Sequence, residues 1–439
     1  MNIIPLPLTG RQFGTYYSRH GDEKSSYNYN SHPLSMFAYT NIGRWYVLNF
    51  HRLLTDFNGQ RGPNVLALSG TSYLPDSTQF HVGAQNMKPY GVLMPEHSAK
   101  EAIADSRFTF LPQFDQNEKA IRFSGRKETE KPDLLKQMVR SLTGNGGRGH
   151  FGQKLEEIRR LGQLGDELWE DRDRLLLLVN SYDQSLWAAD AIRNCWLNMA
   201  ESVYHLIRGQ NDSDDIQEHA SQKNGALLRD DIEAFGQTAG RILVAPMSAI
   251  GRGFNILNGK GKAAFGAVYF LTRPYPHPHD TQRIAQELNR RALDWLEDPD
   301  FIAWQEDGIQ KRAEAVRQKA AQYWLKAENR SYYSTLSIDK VLQADPRRDL
   351  AATTAGILIQ SVGRLIRGGV PFHAYFVDSA WAPSYARDRT TETPETSLLA
   401  AIIDLLEDYV HNDPICKALY GPLADAIADI ENFERQQNT

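Results

Sequence analysis

Apolar runs that each stop at a small polar or glycine-containing loop set the strongest limit on how this chain can fold. Leu175 to Tyr182 reads LLLLVNSY, and Arg241 to Leu257 reads RILVAPMSAIGRGFNIL. The second begins as a buried strand, breaks at Pro246 and runs through small residues to Gly251-Arg252-Gly253-Phe254-Asn255. Between the two lie an amphipathic helix, Gln184 to Gly209, and a short helix, LLRDDIEAF. AAFGAVYFLTRP, Ala263 to Pro274, and AYFVD add further apolar strands. Strands alternating with helices predict an α/β protein built on a parallel sheet. In such sheets ligands sit at the carboxyl ends of the strands. Asn64 to Ser72, NVLALSGTS, is a third apolar strand ending in small hydroxyl residues.

The segment before the last of these strands carries the most chemistry. Gln360 to Gly369 reads QSVGRLIRGG, a Gln-x-x-Gly-Arg-x-x-Arg pattern after an apolar helix face. Arg364 and Arg367 are three apart, which on a helix puts them on one face. Two guanidiniums side by side suit the oxygens of a triphosphate. A solvated basic helix end accounts for the pair equally. In the earlier loop, glycines flanking Arg252 let backbone N–H groups approach an anion closely.

These segments, in this order, resemble the motifs of the superfamily 2 nucleic-acid helicases. LSGTS, Leu68 to Ser72, resembles the Ser-Ala-Thr motif that closes the first RecA-like domain. LLLLVNSYDQ resembles the first strand and loop of the second RecA-like domain, APMSAIGRGFNI the fifth motif, and QSVGRLIR the sixth. The fifth motif also resembles helicase-like proteins of prokaryotic defence islands. The resemblance implies ATP-dependent translocation on, or remodelling of, DNA or RNA, with ATP and Mg2+ as cofactors. It makes Arg364 and Arg367 the arginine fingers, which neutralise charge as the terminal phosphoryl leaves. Gln360 would read the phosphates or a bound water, and Gly363 would pack beneath them. Gly253 and Asn255 would shape the nucleotide-side loop. Arg252 would touch nucleic-acid backbone or the γ-phosphate. Asn180 and Ser181 would hold a strand phosphate, although capping the next helix is the plainer role. Ser69 and Thr71 would couple nucleotide state to domain closure, or simply form a strand-end turn.

The resemblance also exposes what the sequence lacks. No Gly-x-x-x-x-Gly-Lys-Ser/Thr string, the loop that holds phosphates in such ATPases, occurs in it. GNGGRG and GKGK are glycine-rich, but neither fits that pattern, and each reads as a flexible loop, GNGGRGHFG being a hinge candidate. Asp166-Glu167 follows no apolar strand and reads as a surface helix. The expectation is therefore a chain that starts inside the first RecA-like domain. Residues 1–75 would be its carboxyl-terminal remnant and 76–165 a linker with family-specific decoration. Residues 166–385 would be the second RecA-like domain, interrupted by a helical insertion at 275–350. Residues 386–439 would form carboxyl-terminal helices. The phosphate-binding loop would come from a partner chain or a missing amino-terminal region. The rival reading is a helicase-like scaffold that grips nucleic acid or protein without hydrolysing ATP.

Composition narrows the partners. A net charge of −5 across 439 residues confines nucleic-acid contact to a local basic track. Two cysteines, outside any metal-spaced cluster, fit a reducing cytoplasm. No apolar run approaches a membrane span, and MNIIPLPLTGRQ lacks the features of a signal peptide. Lys311, Arg312, Arg317 and Lys319 near Trp324, Tyr332 and Tyr333 could stack and neutralise a single strand, but they read first as a solvated helical face.

Overall fold

A computed structural model describes residues 11–17, 34–40, 70–82, 97–209, 225–251, 253–274, 288, 311, 314–315, 317–325 and 346–435. The chain divides into two compact units, residues 1–90 with 276–335, and residues 91–275 with 336–439. In the first unit, β1 (Arg11–Tyr17) pairs antiparallel with β2 (Leu34–Thr40), Arg11 opposite Thr40. Residues 70–82 form successive turns around the buried Leu74 and Phe80. Most of the 275–350 stretch lies outside the described residues; helical positions there are residue 288, positions between 311 and 325, and 346–350, the start of a longer helix.

The second unit is built on a seven-stranded, wholly parallel sheet flanked by helices, the α/β architecture expected of a RecA-like domain. Its strands are β3 (Arg107–Phe110), β4 (Leu175–Val179), β5 (Val203–Ile207), β6 (Ala226–Leu228), β7 (Ile242–Pro246), β8 (Ala267–Phe270) and β9 (His373–Phe376). They lie in the order β3-β9-β8-β4-β7-β5-β6. Four of the five apolar runs picked out by their sequence are the central strands β4, β7, β8 and β9; most of the fifth, residues 64–72, lies outside the described residues. Every residue of β4, β7, β8 and β9 is buried, because both faces of the sheet are covered.

Alternate residues supply the two covering layers. Leu175, Leu177, Val179, Ile242, Val244, Ala267 and Tyr269 face one core. Helices α1 (His97–Ala104), α2 (Lys131–Thr143), α3 (His150–Gln163) and α4 (Tyr182–Cys195) precede or separate the early strands. Of these, α2, α3 and α4 fill that core with Leu135, Met138, Phe151, Ile158, Ala188 and Ile192. On the opposite face Phe270 stacks on Phe376 at 5.3 Å, and Trp381 meets Phe376 edge-on at 4.9 Å. Ser397 caps α8 (Leu398–Asn412) and donates to the Trp381 carbonyl at 2.8 Å, so that helix begins over this face. Helix α6 (Pro346–Val362) packs on α8, and α9 (Pro414–Ala428) packs on α8, α1 and β3. Two short helical turns of this unit are α5 (Met247–Ile250) and α7 (Pro383–Asp388).

Four segments differ from their sequence reading. Residues 76–165 contribute an edge strand and two core helices to the sheet unit, beyond a linker's part. The expected helix from Gln184 to Gly209 ends at Cys195, and β5 follows. The glycine loop at 144–149 is tightly packed: a Cβ on Gly147 would stand 2.0 Å from the Trp196 ring, and Gly147 has a φ of +81°. It is a wedge between α2 and α3, with no room for the hinge motion its composition suggested. Asp166 sits in a turn, its carboxylate accepting from the Leu168 N–H at 3.0 Å, and is not helical.

The fully buried Arg172 clasps the starts of three strands. Its guanidinium donates to the carbonyls of Ala263, Phe265, Leu168, Pro371 and Leu365, at 2.7–3.2 Å. It also lies over the Trp169 ring at 5.3 Å. Burial without a carboxylate lowers its pKa to about 9, so it stays charged at neutral pH. Removing it orphans five acceptors. Arg172→Ala should lower the unfolding free energy by ~3–5 kcal/mol in urea titrations, and Arg172→Lys should recover only part of the loss.

A second polar group lies between α3 and the sheet. Lys154 Nζ meets Glu157 Oε2 at 2.6 Å and His373 Nδ1 at 3.0 Å, and His150 Nδ1 meets Tyr269 Oη at 2.9 Å. Burial first, and then the Lys154 charge, push both His150 and His373 down to about 4, against the opposing pull of Glu157. The unfolded chain, with histidines near their ordinary 6.5, binds more protons between those values. Stability should therefore fall as pH drops from about 6.5 to 4 and level off below. Melting temperatures across that range check this; a flat profile would contradict it.

Candidate functional site

The two segments richest in chemistry, far apart in sequence, meet in space. Arg364 Nη1 donates to the carbonyl of Phe254. Gln360 lies against the same loop: a Cβ on Gly251 would stand 3.3 Å from Gln360 Oε1. Gly251 closes the turn α5, its N–H bonding the Met247 carbonyl at 3.0 Å, so strand β7 delivers this loop directly. Gly253 is exposed with a φ of +93°, a conformation open to glycine and strained for other residues. Asn255 is exposed, and its N–H donates to Glu233 Oε1 at 2.6 Å. Glu233 comes from a 3-10 stretch, Arg229–Gln237, which follows β6. That stretch can approach because residue 236 is glycine; a Cβ there would stand 2.0 Å from the Leu257 carbonyl oxygen.

The arginine pair is arranged differently from its sequence reading. Helix α6 ends at Val362, so Arg364 and Arg367 lie in the turns that follow and do not share a helical face. The Arg364 N–H bonds Ser361, three residues back, and the Leu365 carbonyl is taken by Arg172. The Arg367 carbonyl accepts from Ala263 at 2.8 Å. These external partners, with Gly368-Gly369 and Pro371 just beyond, stop the helix and fix the turn. The two arginines remain neighbours. Burial, and next the Arg367 charge, lower the pKa of the half-buried Arg364, while Glu233 works in the opposite sense. Arg367 is exposed. Gly363 bonds Ile359 at 2.8 Å and continues the helix backbone; its added Cβ would meet the Ile359 carbonyl at 3.1 Å.

Arg229 completes the cluster. Its guanidinium lies 5.6 Å over the Phe254 ring. Three cations, Arg229, Arg364 and Arg367, thus gather about one loop with one carboxylate, Glu233. Arg229 and Glu233 carry no motif in the sequence. Their spacing of four within LLRDDIEAF is the only sign of a shared direction, and it names no ligand.

The other expected residues are placed elsewhere. Asn180 and Ser181 follow β4 at the carboxyl edge of the sheet, whereas the arginine turn lies at the amino edge beside Arg172. Asn180 Nδ2 donates to the Arg273 carbonyl at 2.9 Å, and Ser181 Oγ caps α4 by accepting from the Gln184 N–H at 3.2 Å. Thr71 is buried in the first unit. Arg252 and Ser69 lie outside the described residues.

Among the described residues no group of three His, Cys, Asp or Glu side chains could hold a metal ion. Ser181→Ala should destabilise the sheet unit by ~1 kcal/mol, through loss of the cap, as read by denaturant unfolding; Ser181→Asp should restore it.

Neither a family model nor a curated protein matches the chain.

Proposed function

We propose that this chain supplies the arginine-bearing side of an ATP-dependent nucleic-acid translocase, as the second RecA-like domain of a superfamily 2 type motor. One observation carries the reading. The segment resembling the sixth motif reaches, through Arg364, the loop resembling the fifth, on a parallel sheet of the required class. Arg364 and Arg367 would neutralise charge on the phosphoryl oxygens, and Gln360 would act from the last turn of α6. The phosphate-binding loop would come from another segment or polypeptide, because no Gly-x-x-x-x-Gly-Lys-Ser/Thr string occurs in this sequence, and the magnesium carboxylates would come with it. DNA or RNA would track the carboxyl edge, where the Arg208 guanidinium lies 5.6 Å over the Tyr182 ring and a base could stack nearby.

The reducing cytoplasm suits two cysteines that form no disulfide, and no helix among the described residues is long and apolar enough to cross a membrane. A second reading, a scaffold that binds without hydrolysis, is favoured by the Phe254 carbonyl that already occupies Arg364.

ATP turnover decides between them. The full chain should be inactive alone and active when mixed with a polypeptide carrying Gly-Lys-Ser/Thr and Asp-Glu motifs from the same locus, with single strands present. Arg364→Ala or Arg367→Ala should then reduce turnover by ~10³–10⁵. Undiminished turnover in both variants would end the finger assignment, and brisk hydrolysis by the chain alone would end the need for a complementing half.

A further inference from the structure

We infer that Arg229 and Arg364 form one seat for the terminal phosphate of a polyphosphate, and that Glu233 is the resident carboxylate this phosphate displaces. The inference rests on the proposed nucleotide role but adds two residues that no motif assigns. Both guanidiniums converge on Phe254 from different elements, Arg229 over its ring and Arg364 on its carbonyl. In both, Nε is buried and finds no hydrogen-bond partner among the described residues. A buried donor without an acceptor is unfavourable, so two such donors at one locus ask for an acceptor that the described residues do not provide. A tetrahedral group with several anionic oxygens matches forked guanidiniums better than any single side chain does.

Glu233 is the partial answer already in place. Its Oε1 accepts the Asn255 N–H at 2.6 Å, and its charge favours protonated Arg364. It is exposed on a short 3-10 stretch. It can swing out without disturbing the core, and its departure frees the Asn255 N–H as a further donor to the incoming anion. With Arg367 alongside, the site retains three positive charges against one negative charge. That imbalance favours a multiply charged anion over a monovalent one.

The test is titration of the full chain with inorganic tripolyphosphate, followed by calorimetry at low ionic strength. Wild type should bind at millimolar concentration. Glu233→Gln should bind about fivefold tighter, since it removes a competing surface charge. Arg229→Ala should weaken binding about tenfold or more. Glu233→Gln alters an exposed side chain and keeps the test decisive even if Arg229→Ala misfolds. Tripolyphosphate affinity unchanged or weakened in Glu233→Gln overturns the inference, as does absence of binding by both wild type and Glu233→Gln. So does an oligothymidylate that shows this variant pattern while tripolyphosphate does not. Any of these results alongside finger-dependent ATP turnover in the complemented system would leave the proposed function standing; loss of that dependence would remove the function itself.

Discussion

A single buried guanidinium organises the amino edge of the sheet. Arg172 sits just before β4, and its five carbonyl partners lie before β8, before β9, in the turn preceding β4, and in the arginine turn after α6. Strand starts in a parallel sheet converge with their carbonyls unpaired by any hairpin, because every connection is a crossover. One planar fork with five donors answers that geometry, and a lysine with a point charge does not. The clasp reaches function through Leu365, the residue next to Arg364. The chain's most reactive-looking side chain is thus held by the same group that closes the core.

How much of this could be read beforehand depended on burial. LLLLV, ILVAP, AVYF and HAYF are central strands, apolar but for His373, and their identity is plain from the letters alone. The two edge strands, and β5 beside one of them, are another matter. Arg107–Phe110 is four residues long, Val203–Ile207 continues an amphipathic pattern, and Ala226–Leu228 is barely a strand. Each is specified by its neighbour across the ladder more than by its own residues. The glycine loop at 144–149 shows the same limit. Its composition fits both a flexible link and a tight wedge, and only the Trp196 ring lying against Gly147 decides for the wedge.

At the candidate site the legible part was the pair of motifs, and the illegible part was their frame. Spacing put Arg364 and Arg367 on one helical face, yet Arg172 and Ala263 draw off the carbonyls that would have carried the helix onward. Arg229, Glu233 and the Phe254 ring joined the site through tertiary contact alone. Local periodicity carries no information about a cation that arrives from another crossover.

The edge strand β3 pairs with β9, and Ser106 ties the two by accepting the Phe372 N–H at 3.1 Å, across 266 residues of chain. A nascent polypeptide leaving the ribosome must therefore hold its first sheet strand unpartnered until nearly all the remaining chain has been made. Such late closure implies slow, chaperone-exposed maturation, with the half-built sheet open to mispairing along the β8 flank until β9 arrives.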